Sequence, residues 1–275
     1  SFTAETALHD AGCIAGLSAD NPIAIDFYRA EGEGDGHVSL KIYHHGEPVG
    51  LSRRVPLLEN MGFRVISERT FEIGGEIEGG GGNAPVFIHD MELANAFGRP
   101  VDLGDGGALL EEVFLSVWRG ETDNDAYAAL VQTAGLHARE IQLLRAYGRY
   151  LQQAGIPQSQ DFIAAVLNRY PQIARALFSL FAARFDPAAQ KESEVATRHL
   201  KAAIRDALDE VPSLDDDTIL RRYHNLIESS LRTNYFAAGT DAPRSLAIKL
   251  DSRAVTGLPE PRPWREIFVY GPEVE

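Results

Sequence analysis

The sequence predicts a mixed α+β protein: a glycine-rich α/β module, a helical region, then a short β segment. Three observations carry that prediction. The 275 residues, 24% charged and 44% hydrophobic, have globular composition and a length suited to two domains with a buried core. Residues 1–98 hold 15 of the 25 glycines, with 15 acidic and six basic residues, and their apolar residues alternate at period two. Residues 99–240 have few glycines and apolar residues at helical spacing, whereas 241–275 carries five prolines and two β-like runs. The expected divisions are therefore 1–98, 99–240 and 241–275.

Element by element, Thr3 caps a helix over 4–17, with Ala7, Leu8, Ile14, Ala15 and Leu17 as its apolar positions. Ile23, Ile25 and Phe27 share one face of a strand over 23–29. After the glycine loop 31–36, Val38, Leu40 and Ile42 share one face of a second strand, 37–44, which makes a hairpin. Leu51 to Met61 is a short helix stopped by Gly62, and Pro56 inside it implies a late start or a kink. Residues 63–73 and 84–93 read as two more strands, joined by a mobile glycine loop, Gly74–Gly82. Counted from the second strand, the order is β-α-β-β followed by an α-β unit from the N-terminus, a ferredoxin-like sheet in permuted order. Strand 37–44 should be central, beside 84–93, with helices 4–17 and 51–61 both covering the face of Ile25, Phe27, Leu40 and Ile42.

The helical region begins with Val113, Leu115, Val117 and Trp118 behind Asp105-Gly106-Gly107. Asp123 or Asn124 caps a helix running to Gly135, and a long helix over 136–153 carries Ile141, Leu144, Tyr147 and Leu151. Ser159 caps 162–170, and Pro171 opens a helix containing Ile173, Leu177, Phe178 and Phe181. Leu200, Ile204, Leu208 and Val211 mark another. Ser213 with Asp216 starts the last, whose stripe is Ile219, Tyr223, Leu226, Ile227 and Leu231. Six or so such helices make an antiparallel bundle.

Charge excludes some partners. A formal charge of −14 opposes binding to a polyanion, so nucleic acid is not expected. The absence of a long apolar run argues against a membrane span. One cysteine, Cys13, forms no internal disulfide and reads as a small core residue. With no signal-peptide pattern, the expected compartment is cytoplasmic. The first residue, Ser1, fits a piece of something longer.

The search for catalytic, cofactor and metal sites yields none. Gly104-Asp105-Gly106 resembles a dinucleotide loop, but Leu109 stands where the motif needs glycine and no strand precedes it, so it reads as a turn. The glycine run 79–82 lacks the Lys-Ser/Thr of a phosphate loop, and there is no Gly-x-Ser-x-Gly. His44-His45 and His89-Asp90 are neighbours on strands, where adjacent side chains point to opposite faces and cannot chelate together. His44 and His89 could meet across strands, but no further ligand completes a metal site. Asp215-Asp216-Asp217 complements a helix dipole, and Asp123-Asn124-Asp125 lacks the glycine and glutamate of a calcium loop.

The last runs, 245–250 and 264–270, both read as strands, and two strands alone are marginal. With no third strand evident, the favoured reading is that a further domain begins here. A hydrophobic face containing Ile248, Ile267, Phe268 and Tyr270 should then be left open to association.

Several runs resemble the large bacterial NAD-specific glutamate dehydrogenases. They are Leu51 to Ile73, Val86–Leu93, Trp118–Glu121, Leu143–Tyr147, Leu231–Phe236, Lys249–Arg253, Leu258–Pro263 and Glu266–Tyr270. The resemblance implies an ACT-like module over 1–98, a helical region, and the start of a catalytic domain. It implies an enzyme that oxidatively deaminates L-glutamate to 2-oxoglutarate and ammonia. That family's catalytic lysine and dinucleotide loop match no position here. The chain is accordingly expected to be a non-catalytic regulatory or scaffolding part, with no cofactor of its own and NAD in the parent enzyme. Its expected partners are the rest of its polypeptide, further copies in a homo-oligomer, and an amino-acid effector. The candidates for the effector site are His89, Asp90 and the Gly46–Ser52 turn. The alternatives are a stand-alone amino-acid-sensing module and a ligand-free oligomerisation scaffold.

Overall fold

The computed structural model describes residues 4–74, 84–189, 193–237 and 245–271. The chain forms two compact units, residues 1–114 and 115–275. Thr3 and all of the glycine loop beyond Gly74 lie outside the described residues.

In the first unit the elements are α1 (Ala4–Ala15), β1 (Ile23–Tyr28), β2 (His37–His45), α2 (Leu51–Asn60), β3 (Phe63–Ile73), β4 (Val86–Asn95) and the start of α3 (Asp105–Trp118). The antiparallel sheet has the order β1-β2-β4-β3. This is the permuted ferredoxin-like order, with β2 central beside β4 as expected. Register places Ile25 opposite Ile42, Phe27 opposite Leu40 and Leu40 opposite Met91, so these side chains share one face. Leu40 and Ile42 are fully buried there.

One expectation fails. Helices α1 and α2 do not cover the same face. The Val49 amide at the head of α2 bonds His89, which stands opposite Ile42, so α2 lies on the apolar face with Leu57 and Leu58 buried. On α1, Asp10 instead bonds Lys41 Nζ at 2.8 Å and Tyr43 Oη at 2.6 Å. Lys41 and Tyr43 alternate with Leu40 and Ile42, which puts α1 on the opposite face. Its apolar pattern is too sparse to bury, and Leu8 stays 76% exposed. Cys13 is likewise no core residue: it is half-buried on α1, and burial followed by the charges of Asp26 and Asp10 pushes its thiol up. After β4, α3 buries Leu110, Val113 and Phe114 in this unit.

Pro56 sits inside α2 without delaying its start, which is at Leu51. The helix closes at Met61, and Gly62 follows at φ +85°, a conformation other residues resist.

The second unit contains α4 (Leu130–Ala134), α5 (Ala138–Gln153), α6 (Gln160–Arg169), α7 (Pro171–Phe185), α8 (Ser193–Asp209) and α9 (Leu214–Ser229), with a 3-10 turn over Ala126–Ala129. Ser159 and Ser213 cap α6 and α9 as expected, and Pro171 opens α7. The cap at the start of this region is Asp125, accepting from the Tyr127 amide, not Asp123 or Asn124. Asp125 also accepts from Arg145 Nε and Nη2, while Nη1 donates to Thr122 Oγ1 and Nη2 also to the Asp123 carbonyl, so this fully buried arginine is enclosed by acceptors. α5, α6, α7 and α9 pack on one another around Leu144, Tyr147, Leu177, Phe181 and Tyr223, all buried.

The second sheet has three strands, β5 (Ser230–Thr233), β6 (Leu246–Leu250) and β7 (Glu266–Tyr270), in the order β5-β6-β7. The missing third strand therefore comes straight from the end of α9, and Leu231 is a strand residue rather than part of a helical stripe. Ser230 ends the helix because its hydroxyl bonds the Leu226 carbonyl while its ψ of 133° turns the backbone into an extended path. The expected open apolar face is also corrected. Ile248 is fully buried and Phe268 nearly so, whereas Ile267 is 68% exposed. Adjacent strand residues cannot share a face. The inner residues pack on the helices: Tyr150 bonds Glu266 at 2.6 Å and meets the Phe268 ring, and Tyr270 bonds Asp123 at 2.6 Å.

Candidate functional site

The polar groups of the first sheet fall into two constellations, one on each face. On the α2 face, His89 is 1% exposed. Its Nε2 accepts the Val49 amide at 3.0 Å, so the ring is neutral with its proton on Nδ1. That side of the ring meets Thr70 Oγ1 at 3.0 Å and Glu68 Oε1 at 3.2 Å. Glu68 in turn takes the buried Arg54 guanidinium from α2. Burial, then the Arg54 charge, holds the His89 pKa below the usual histidine value. Burial works to raise Glu68, but the hydrogen bonds of Arg54 and Thr70 win and hold it low.

The fold thus brings together His89 and the Gly46–Ser52 turn, through Val49, and leaves Asp90 out: one residue along β4, Asp90 faces the other way and accepts the Tyr28 hydroxyl at 2.7 Å. His44 lies on the His89 face, its Nδ1 2.8 Å from the Glu47 carbonyl oxygen, next to the same turn. Among the described residues no group of three His, Cys, Asp or Glu is placed to hold a metal.

A consequence of this geometry is pH-dependent. A histidine whose folded pKa is depressed contributes stability that is complete above its unfolded value of about 6.5 and lost as pH falls below it. The urea midpoint of the chain should therefore drop between pH 7.5 and 5. His224, also depressed by burial, acts in the same direction. His89→Gln keeps an acceptor for Val49 but cannot titrate, and should make that drop smaller. An undiminished drop in the variant would remove His89 from the account.

On the α1 face, a cavity of about 380 Å³ lies against the sheet, with Tyr28, Lys41, Arg69, Asp90 and Glu92 in its wall and Thr6 of α1 at its side. Lys41 is 2% exposed and its ammonium is 5.3 Å from the Tyr28 ring centre. The sequence reading missed this cavity, apart from Asp90. The available signal was the alternation of Ser39, Lys41 and Tyr43 with the apolar residues of β2.

At the Gly104–Gly106 turn the Gly104 amide donates to Asp102 Oδ1 at 2.9 Å, and the segment leads from irregular chain, not a strand, into α3. Asp216, in the acidic first turn of α9, is buried and paired with Arg169 of α6. No described helix is long and apolar enough to cross a membrane.

Three family models match. Residues 22–105 match the model described as glutamate dehydrogenase, ACT3 domain, and 122–187 the one described as glutamate dehydrogenase, helical motif 3. Residues 203–275 match bacterial NAD-glutamate dehydrogenase, catalytic domain. Over its full length the chain is 43% identical to the NAD-specific glutamate dehydrogenase of Halomonas elongata and 37% identical to that of Pseudomonas aeruginosa. It is 34% identical, over 99% of its length, to that of Mycobacterium tuberculosis. The chain spans 17% of the length of each of these relatives.

Proposed function

Because the chain belongs to the bacterial NAD-specific glutamate dehydrogenase family, we propose that it is a non-catalytic, regulatory and scaffolding part of such an enzyme. The parent activity in this reading is NAD-dependent oxidative deamination of L-glutamate to 2-oxoglutarate and ammonia. The observation that carries it is the end-to-end identity to these relatives, with an ACT3 match falling on the module that holds the cavity. The three functional parts of this reading are 1–98, 99–240 and 241–275; the catalytic-domain match begins earlier, at residue 203, and the helices and the second sheet share one compact unit.

The rest of the enzyme's catalytic domain is the partner this reading assigns to the outer face of β6–β7. Ile267 and Val269 stand exposed there on an edge strand, a surface suited to a covering layer. An amino-acid effector acting on the first unit is the regulatory ligand it assigns.

Two measurements test the proposal. Purified chain with glutamate and NAD should give no increase in absorbance from NADH, while the full-length enzyme does. In the full-length enzyme, Arg69→Leu should alter the response of the rate to added amino acids. Turnover by the chain alone would overturn the non-catalytic assignment, and an unaltered response would overturn the regulatory one.

A further inference from the structure

The polar face of the first sheet is built differently from a solvated one. Ser39 and Lys41 are both more than nine-tenths buried beside the cavity, whose volume of about 380 Å³ is within the range of small-molecule sites. Several of its charges are already satisfied. Arg29 directs its terminal nitrogens to the carbonyls of Gly34, His37 and Val101. Glu33 accepts from the Ala30 amide and the Ser39 hydroxyl, and Lys41 pairs with Asp10.

What remains is charge of both signs. Asp90 uses one oxygen for Tyr28, and Glu92 uses one for Ser67 at 3.1 Å, which leaves an oxygen on each. The two residues are two apart on β4 and project to the same face. Arg69 stands directly across from Asp90 in the β3–β4 register. Its guanidinium makes no ion pair with either carboxylate among the described residues.

We infer that this cavity binds a compact zwitterion, a molecule carrying one ammonium and one carboxylate. Asp90 and Glu92 take the ammonium and Arg69 takes the carboxylate through paired N–H donors. A purely anionic ligand would meet two like charges on β4, and a purely cationic one would meet Arg69. A neutral apolar one would strip water from all three without replacing it. This deepens the regulatory reading by giving it a site and a ligand class, yet direct binding tests it separately.

The test is calorimetric titration of the 275-residue chain with L-alanine, L-glutamate and 4-aminobutanoate, alongside acetate and methylammonium as half-ligands. The first two place the charges on one carbon and the third separates them, so the arms distinguish α- from ω-amino acids. At least one zwitterion should bind saturably and about tenfold or more tighter than either half-ligand. Arg69→Leu and Asp90→Asn should each weaken it by about the same factor, with far-ultraviolet circular dichroism showing that the variants remain folded. No saturable heat from any zwitterion, equal binding of a half-ligand, or an affinity untouched by both substitutions would overturn the inference. Saturable binding to the chain, with a full-length enzyme indifferent to the same ligand, would leave the site standing and remove its regulatory role.

Discussion

Gly148→Ala is expected to destabilise the second unit by about 2–3 kcal/mol, as over-packing of a rigid core does. Helix propensity alone gives the opposite sign, since alanine is favoured over glycine in a helix interior by about 1 kcal/mol. Packing decides. A methyl group at Gly148 in α5 would overlap the hydroxyls of both Tyr127 and Tyr223. Neither ring can move aside: both are fully buried. Tyr223 Oη is fixed to the Leu144 carbonyl at 3.0 Å, and Tyr127 Oη to Gln160 at 2.9 Å. Gln160 in turn donates to the Gly148 carbonyl at 3.0 Å, so the glycine is bonded as well as crowded. Urea unfolding of the wild type, Gly148→Ala, Tyr127→Phe and the double variant checks this. Removing the Tyr127 hydroxyl should recover part of the loss. A Gly148→Ala protein as stable as the wild type would show that the helix can shift to admit the methyl.

The other large effect is at Arg145. Arg145→Met keeps most of the side-chain volume but leaves the Asp125 carboxylate only the half-exposed Arg149, 3.7 Å away, as counter-charge, and should cost about 3 kcal/mol. Asp125 is itself partly solvated, at 17% side-chain exposure, which places the cost at the low end of the range for breaking a buried pair. Arg145→Lys should restore little. One ammonium cannot serve Asp125, Thr122 and the Asp123 carbonyl from the positions that the planar guanidinium reaches. Asp125→Asn in the Arg145→Met background should relieve part of the loss. Equal urea midpoints for Arg145→Lys and the wild type would mean that charge alone, not the fork geometry, matters there.

The residues make plain why some of this was legible in the sequence. Period-two alternation and two glycine loops were enough to order the first sheet, because the pattern of each strand is local. Caps such as Ser159 and Ser213, and Gly62 after α2, are also local chemistry and fell where expected. The failures were all questions of what lies on the far side of an element. Nothing in positions 4–17 says which face of the sheet α1 will meet; that was decided by Asp10 reaching Lys41 and Tyr43, both some thirty residues away. β5 was hidden because Leu231 continues the spacing of α9, while the hydroxyl of Ser230 that stops the helix acts only through its bond to Leu226. The candidate site was half legible. His89 and the Gly46–Ser52 turn do come together, but Asp90 belongs to a different face, and Arg69 carried no motif to mark it.

The joint between α9 and β5 has no slack. Ser229 is the last helical residue and Ser230 the first of the strand, and the joint is clamped from two other helices. Tyr147 of α5 holds the Ser230 hydroxyl at 2.7 Å, and Arg184 of α7 holds its carbonyl at 3.1 Å. A loop at such a place would absorb rotation; this one transmits it. Any load or twist applied to the β6–β7 edge is carried by β5 into α9 and, through the clamp, into α5 and α7. The second sheet and the helices therefore behave as one lever rather than as two bodies on a hinge.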